Sequence, residues 1–283
     1  MSAARFGCTR SLLFVKEDHN DIADLERTQR AGLAGLRAGS ARLSGTRCHR
    51  QPLGGGVVTA KVAVVAGAGG PLGRATSAAL AADGLTVVAV DRSEQGLRQL
   101  PGSVRRKVGD TTDPAVATRI IDQIADEVGP PDVLVNTIGA FQLGDTLSTT
   151  PETLRLMFDV NLATALWLSR AVAPHMQQQG SGAIVHVSAR PGIEPAGGMA
   201  AYSVSKAALV YLTRVLDVEL RPNGIRVNAV APQLIDTPVT RAAFPAEVMA
   251  HAVAPEAIAG VIAFLVSDAA APVSGAILPT YGA

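Results

Sequence analysis

Tyr202 and Lys206 stand four residues apart in the stretch HVSARPGIEPAGGMAAYSVSK, residues 186–206. On a helix that spacing puts both side chains on one face, with their heads within reach of each other. An ammonium beside a phenol favours the phenolate, so the pair predicts that Lys206 lowers the proton affinity of Tyr202. Such a phenol can give a proton to a carbonyl as hydride arrives, or take one from an alcohol. The spacing alone also fits a tyrosine that packs its ring and leaves its hydroxyl at the surface. It gains meaning from what lies upstream.

VVAGAGGPLGRA, residues 64–75, is a glycine-rich turn between an apolar run and a helical pattern. Gly67 can turn the chain out of a strand, and Gly73 lets the next helix pack closely. N–H groups at the helix start then face a pyrophosphate. The candidate cofactor contacts in this turn are Gly67, Gly70, Leu72 and Gly73. Asp91 ends the next apolar run, 18 residues after Gly73. An acid there accepts hydrogen bonds from an adenosine ribose diol and repels a 2′-phosphate. No basic residue sits between Gly67 and Gly73, so NAD is expected, with NADP left open by Arg92 next door. The plain alternative is that Asp91 caps a turn.

The elements that must hold these residues follow from periodicity. KVAVVAG, TVVAVD, PDVLVNTIG, GAIVHVS and IRVNAVAP are apolar throughout; RRKVGD is a weaker run, and GAILPTYG is a possible last strand. Helical patterns separate them, including one long helix over TPETLRLMFDVNLATALWLSRAVAPHMQQQG. Strands apolar on both faces, each followed by a helix, predict an α/β fold: a single doubly wound Rossmann-type parallel sheet flanked by helices on both faces.

Of the 283 residues, 48% are hydrophobic and 17% charged, with a net charge of +1. That balance gives no reason to expect nucleic acid or a membrane surface as partner, and the apolar runs are too short to span a bilayer. Cys8 and Cys48 are the only cysteines, which argues against a disulfide framework and for the cytoplasm. Residues 1–56 stand apart, with eight Arg and one Lys against five acids, ending in QPLGGG. The acids cluster in KEDHNDIADLE and no continuous apolar segment accompanies them, so a targeting peptide is disfavoured. The segment reads as a disordered or loosely helical extension, or as sequence upstream of a misplaced start codon. Residues 57–283 read as the Rossmann-fold domain.

Taken together, residues 60–283 resemble the short-chain dehydrogenase/reductase family. AGAGGPLG corresponds to its T-G-x-x-x-G-x-G turn. GDTTD places Asp110, with Thr111, where the family contacts adenine, and NTIG keeps Asn136 and Gly139. FDVNL supplies Asn161 at the catalytic-helix asparagine, and YSVSK is Y-x-x-x-K. RVNAVAPQLIDT matches the segment that meets the nicotinamide carboxamide through its last residue, Thr237, with Pro232 and Ile235 as further cofactor contacts. The resemblance implies that Tyr202 is the acid/base and that Lys206 lowers its pKa and holds the nicotinamide ribose. Asn161 would anchor a water linking Lys206 to solvent. It also implies a homodimer or homotetramer formed through the long helix and the Tyr202 helix, acting on a small carbonyl or secondary alcohol.

Three departures stand out. Pro71 replaces the second glycine of the turn, a position that tolerates proline at the start of a helix. Gln233 replaces the glycine after Pro232. Ala189 occupies the place of the substrate-orienting serine, thirteen residues before Tyr202. Ser188 is one step away, and neighbouring strand residues face opposite sides, so it can substitute only if the strand end is bulged. Losing one donor to a developing oxyanion typically costs about 10²–10³ in rate. Two readings result: an enzyme short of one hydroxyl, or a catalytically impaired nucleotide-binding relative acting as partner subunit or redox sensor. SARPGIEPAGGMAAY is similar to the corresponding stretch of quinonoid dihydropteridine reductases, which also lack the serine.

His175 and His186 are not at metal-ligand spacing with any Cys or acid, and no metal is expected. Trp167 and Phe158 fit core or subunit packing. Residues 238–257 fall where the family places its substrate lid, and their short, partly apolar run suggests a small or flat substrate.

Overall fold

Strands with no polar face need helices on both sides, and the chain supplies them. The structure, a computed structural model, describes residues 60–282. The readings made on residues 1–56, and both cysteines, lie outside the described residues. Seven parallel strands form one sheet: β1 (Val62–Ala66), β2 (Thr86–Asp91), β3 (Arg105–Val108), β4 (Val133–Asn136), β5 (Gly182–Val187), β6 (Ile225–Pro232) and β7 (Ile277–Thr280). Their order is β3-β2-β1-β4-β5-β6-β7. The weak run RRKVGD is thus the edge strand β3, and its Arg105, Arg106 and Lys107 discourage pairing with another sheet edge.

Helices α1 (Pro71–Ala82), α2 (Glu94–Leu97), α3 (Pro114–Glu127), α4 (Pro151–Phe158), α5 (Thr164–Gln179), α6 (Ala200–Leu220), α7 (Pro238–Ala243), α8 (Ala246–Met249) and α9 (Pro255–Val266) connect the strands. Leu72 and Leu80 of α1 and Ile258, Ile262 and Leu265 of α9 pack with Val65, Val135 and Val185 on one face of the sheet. Ile121 and Ile124 of α3, Leu168 and Val172 of α5, and Leu216 of α6 pack with Val64, Leu134 and Ile184 on the other, where Trp167 joins them. Truncating one of these buried aliphatics to Ala costs about 2–5 kcal/mol.

The single long helix expected over residues 150–180 is corrected. A π turn, Asp159–Ala163, separates α4 from α5. One extra residue per turn is invisible to hydrophobic periodicity, and such bulges often mark functional positions. The whole stretch Pro151–Gln179 is long and apolar enough to cross a membrane, but half of its apolar window is buried inside the fold. Strand order reverses between β1 and β4, so a crevice opens at the carboxyl ends of those strands.

Candidate active site

A groove of about 360 Å³ lies in that crevice, lined among others by Gly67, Gly70, Asp91, Arg92, Asp110, Thr111 and Gly139. Each strand from β1 to β4 therefore delivers one of the residues singled out by the sequence. Gly67 has φ +79, and a Cβ there would lie 2.7 Å from Thr137 Oγ1. A Cβ on Gly73 would lie 2.2 Å from the Gly67 carbonyl oxygen, so α1 can start this close to the turn only with glycine. Gly70 caps α1 and Pro71 takes its first position, where a missing N–H leaves no bond unmade. Leu72 gives its side chain to the core and only its backbone to the turn. Asp91 accepts from Gly69 N–H at 2.9 Å and from Ser93 N–H at 2.8 Å, which ties β2 to the glycine turn. Arg74 reaches back to the Gly69 carbonyl, a basic group at the turn that the residues between Gly67 and Gly73 did not announce.

Deeper in, Asn136 accepts from Ile138 N–H at 3.1 Å and shapes the loop that carries Gly139. Asn161 projects from the π turn, fully buried. Its Oδ1 accepts from Ala140 N–H at 2.8 Å, and its Nδ2 donates to Ala140 O at 3.0 Å and Ser205 Oγ at 2.9 Å. Ser205 in turn donates to the Tyr202 carbonyl at 2.7 Å. Lys206 Nζ donates to the Val187 carbonyl at 2.9 Å. A Cβ on Gly139 would lie 3.2 Å from Lys206 Nζ and 3.3 Å from Asn161 Oδ1. The ammonium, the asparagine and the end of the groove thus meet at one glycine.

Burial decides the electrostatics here. Tyr202 is partly buried, and desolvation of the phenolate pushes it up to about 12. Desolvation pushes Lys206 down to about 8. The expectation that Lys206 lowers the tyrosine is therefore corrected for the protein groups alone: low polarity disfavours both charged forms before they can help each other. His186, fully buried in β5, is pushed down to about 4 by desolvation and then by the charge of Lys206. Its Nε2 lies 3.4 Å from Ser169 Oγ, and its Nδ1 has no partner among the described residues. Asp110 is held below the usual carboxylate range by hydrogen bonds from Thr112.

Ser188 does not stand in for the absent hydroxyl. Its Oγ donates to the Lys206 carbonyl at 3.0 Å, turned into α6. Ala189 is extended, φ −161 and ψ 160, so its methyl faces the opposite side. Pro232 ends β6 paired with Thr280, and Ile235 bridges to Val253. Thr237 accepts from Thr240 N–H at 3.1 Å as the cap of α7, so its hydroxyl is engaged at the start of that helix. None of these three lines the groove at its Asp91 end.

The sequence profile of the short chain dehydrogenase family matches residues 61–248. The chain belongs to that family. This short-chain dehydrogenase is 39% identical over 239 residues to galactitol 2-dehydrogenase of Rhizobium johnstonii, covering 76% of this chain and 91% of that one. Among solved structures it superposes on an actinorhodin polyketide ketoreductase with NADPH at TM-score 0.74 and 27% identity, covering 79% of this chain and 96% of that one. NAD+-bound xylitol dehydrogenase gives TM-score 0.74 and 26% identity, covering 79% and 98%. The dehydrogenase fold also brings in residues that sequence reasoning passed over. Ser205 lies within YSVSK but its role appears only with Asn161 beside it. Phe141 meets Tyr202 edge-on at 4.9 Å between ring centroids, and Phe244 follows at 6.0 Å; no spacing in the sequence links these three.

Proposed function

We propose that this short-chain dehydrogenase interconverts a small carbonyl compound and a secondary alcohol with NAD(H), using Tyr202 as acid/base. The observation that carries the reading is the meeting of Lys206 Nζ and Asn161 Oδ1 at Gly139, at the end of a groove whose far wall is Asp91. A dinucleotide fits that groove: without side chains, Gly67, Gly70 and Gly73 let a pyrophosphate come close to the start of α1, and Asp91 suits a ribose diol. Asp91 favours NAD over NADP, although Arg74 and Arg92 stand close by. Gly139 leaves room beside Lys206 for a ribose. A nicotinamide bound there supplies or accepts the hydride.

With its affinity near 12, Tyr202 is protonated at neutral pH and set to donate to a carbonyl oxygen. Lys206, near 8, exchanges its proton close to neutrality and can resupply the phenol. Asn161, through Ser205, holds the first turn of α6 and with it the backbone of Tyr202. The activity resides in residues 57–283. Val204, Tyr211 and Val218 are exposed at seven-residue intervals along α6, which suits a homodimer or homotetramer. The reading keeps the cytoplasm as the compartment and nucleic acid and membranes out of the partners. The names of the relatives, a galactitol and a xylitol dehydrogenase and a ketoreductase, support carbonyl and alcohol chemistry.

The test is NADH oxidation by the full chain against a panel of ketones, quinones and quinonoid pterins. Loss of activity in Tyr202→Phe and a gain in Ala189→Ser are expected. NADH bound but untouched across the panel, even with the serine restored, would leave a nucleotide-binding partner subunit instead.

A further inference from the structure

One of the three departures from the family pattern, Gln233, meets the residue that follows another, Ala189. Arg190 follows Ala189, and Gln233 stands where the family has glycine. Arg190 Nη1 donates to Gln233 Oε1 at 3.1 Å, and its Nε donates to Glu194 Oε2 at 2.8 Å. The guanidinium carbon lies 5.0 Å from the centre of the Tyr281 ring, and the Tyr281 hydroxyl donates to Glu194 Oε1 at 3.3 Å. These residues follow the carboxyl ends of β5, β6 and β7, three strands far apart in sequence.

The cluster adjoins the Tyr202–Lys206 helix. Arg190 opens the short turn Arg190–Gly192, and a Cβ on Gly192 would lie 2.7 Å from the Lys206 carbonyl carbon. An arginine serving only as a strut would spend its donors on the protein. Arg190 spends two: one N–H of Nη1 and both of Nη2 have no partner among the described residues, and its side chain is 42% exposed. Gln233 turns its oxygen to Arg190, and its own amide N–H groups have no partner among the described residues. Glu194, Gln233 and Tyr281 hold the guanidinium, and the N–H groups they leave over on Nη1 and Nη2 are of the kind that meets a carboxylate. On the Tyr202 side, Phe141 and Phe244 supply aromatic surface.

We propose that Arg190 is a specificity-determining residue that binds a carboxylate on the substrate, so that the substrates are cyclic or aromatic keto acids and the matching hydroxy acids. The proposal rests on the oxidoreductase reading for its substrate class, and on the Arg190 cluster alone for its anion.

Two measurements on the full chain decide it. The first compares kcat/KM with NADH for a ring ketone bearing a carboxylate and for its methyl ester. The carboxylate is expected to be preferred at least tenfold, mainly through KM, with the preference lost in Arg190→Ala while the ester stays within threefold. Glu194→Gln removes a competing carboxylate and should raise the preference, whereas a mere strut would be weakened by it. The second is calorimetric titration with benzoate and with benzamide, with and without NADH. Benzoate should bind at least tenfold more weakly to Arg190→Ala, with benzamide unchanged; Arg190→Gln serves if the alanine variant fails to fold. Equal losses for acid and ester, or benzoate binding indifferent to Arg190, would overturn the proposal. If no ketone turns over, the oxidoreductase reading fails, and the benzoate titration still decides whether Arg190 is an anion site.

Discussion

Asn161 Nδ2 and Ser205 Oγ are hydrogen-bonded at 2.9 Å, joining the π turn to the helix that carries Tyr202 and Lys206. Through Ser205 the bond continues to the Tyr202 carbonyl, so the position of the phenol depends on an asparagine 41 residues away in sequence. Asn161 stands in the π turn and bonds Ala140 and Ser205 at once.

Asn161→Ala should therefore cost both stability and activity. The asparagine is fully buried with three strong hydrogen bonds. Its loss strands the Ala140 N–H and carbonyl, at roughly 2–4 kcal/mol. Urea denaturation should show that drop, and kcat should fall more than KM changes. Ser205→Ala, which removes one link, is expected to cost about 1 kcal/mol. Equal stability of Asn161→Ala and the parent would remove this account of the π turn.

Lys206 should be a stability cost at neutral pH. The folded chain releases its proton near 8, the unfolded chain near 10.5. Between those values the unfolded state holds more protons, so stability rises with pH across that window. Below 8 the full cost applies, at most roughly 3 kcal/mol. Lys206→Met is expected to be more stable than the parent at pH 7.5, with the gap closing towards pH 10, and to be inactive. Urea midpoints measured at several pH values check both statements.

His186 works at the acid end. Its folded affinity is near 4 against 6.5 in the unfolded chain, because burial and the Lys206 charge oppose protonation. As pH falls from 6.5 to 4 the unfolded state takes up the proton first, and stability is lost, by up to roughly 3 kcal/mol. His186→Leu should flatten the thermal midpoint between pH 6.5 and 4.5 relative to the parent. A parallel decline in both proteins would mean that other groups drive the acid limb.

The glycine turn offers a paired control. Gly73→Ala would put a Cβ 2.2 Å from the Gly67 oxygen and should displace α1, lowering the thermal midpoint and abolishing NADH binding. Gly70 has φ −78, and a Cβ there lies 3.4 Å from the same oxygen, an ordinary contact. Gly70→Ala should fold normally, so a fall in NADH affinity, read by fluorescence titration, would report on the close approach of a pyrophosphate. Unchanged affinity would argue against phosphate at this turn.

Much of this arrangement was legible in the chain. Continuous apolar runs separated by helical periodicity require a parallel sheet covered on both faces, whatever the remaining details. The turn at Gly67–Gly73 and the acid at Asp91 could be placed because each is a local demand: a positive φ, a close helix approach, a strand end. Tyr202 and Lys206 share a helix face through spacing alone. The edge position of β3 was less visible, since three charged residues in four mask a strand that needs to bury little.

What the sequence by itself determined was thus what rests on neighbours along the chain: element types, their alternation, and the residues at strand ends. The tertiary structure decided what rests on neighbours across it. The alternation of facing residues separated Ser188 from Ala189, but only packing against α6 committed the Ser188 hydroxyl to Lys206. Only burial sent Tyr202 up and Lys206 down, because desolvation depends on what surrounds a group in space. The meeting of Arg190, Gln233 and Tyr281 belongs to the same class, since parallel strands return each crossover to the same end of the sheet and set side by side residues far apart in sequence.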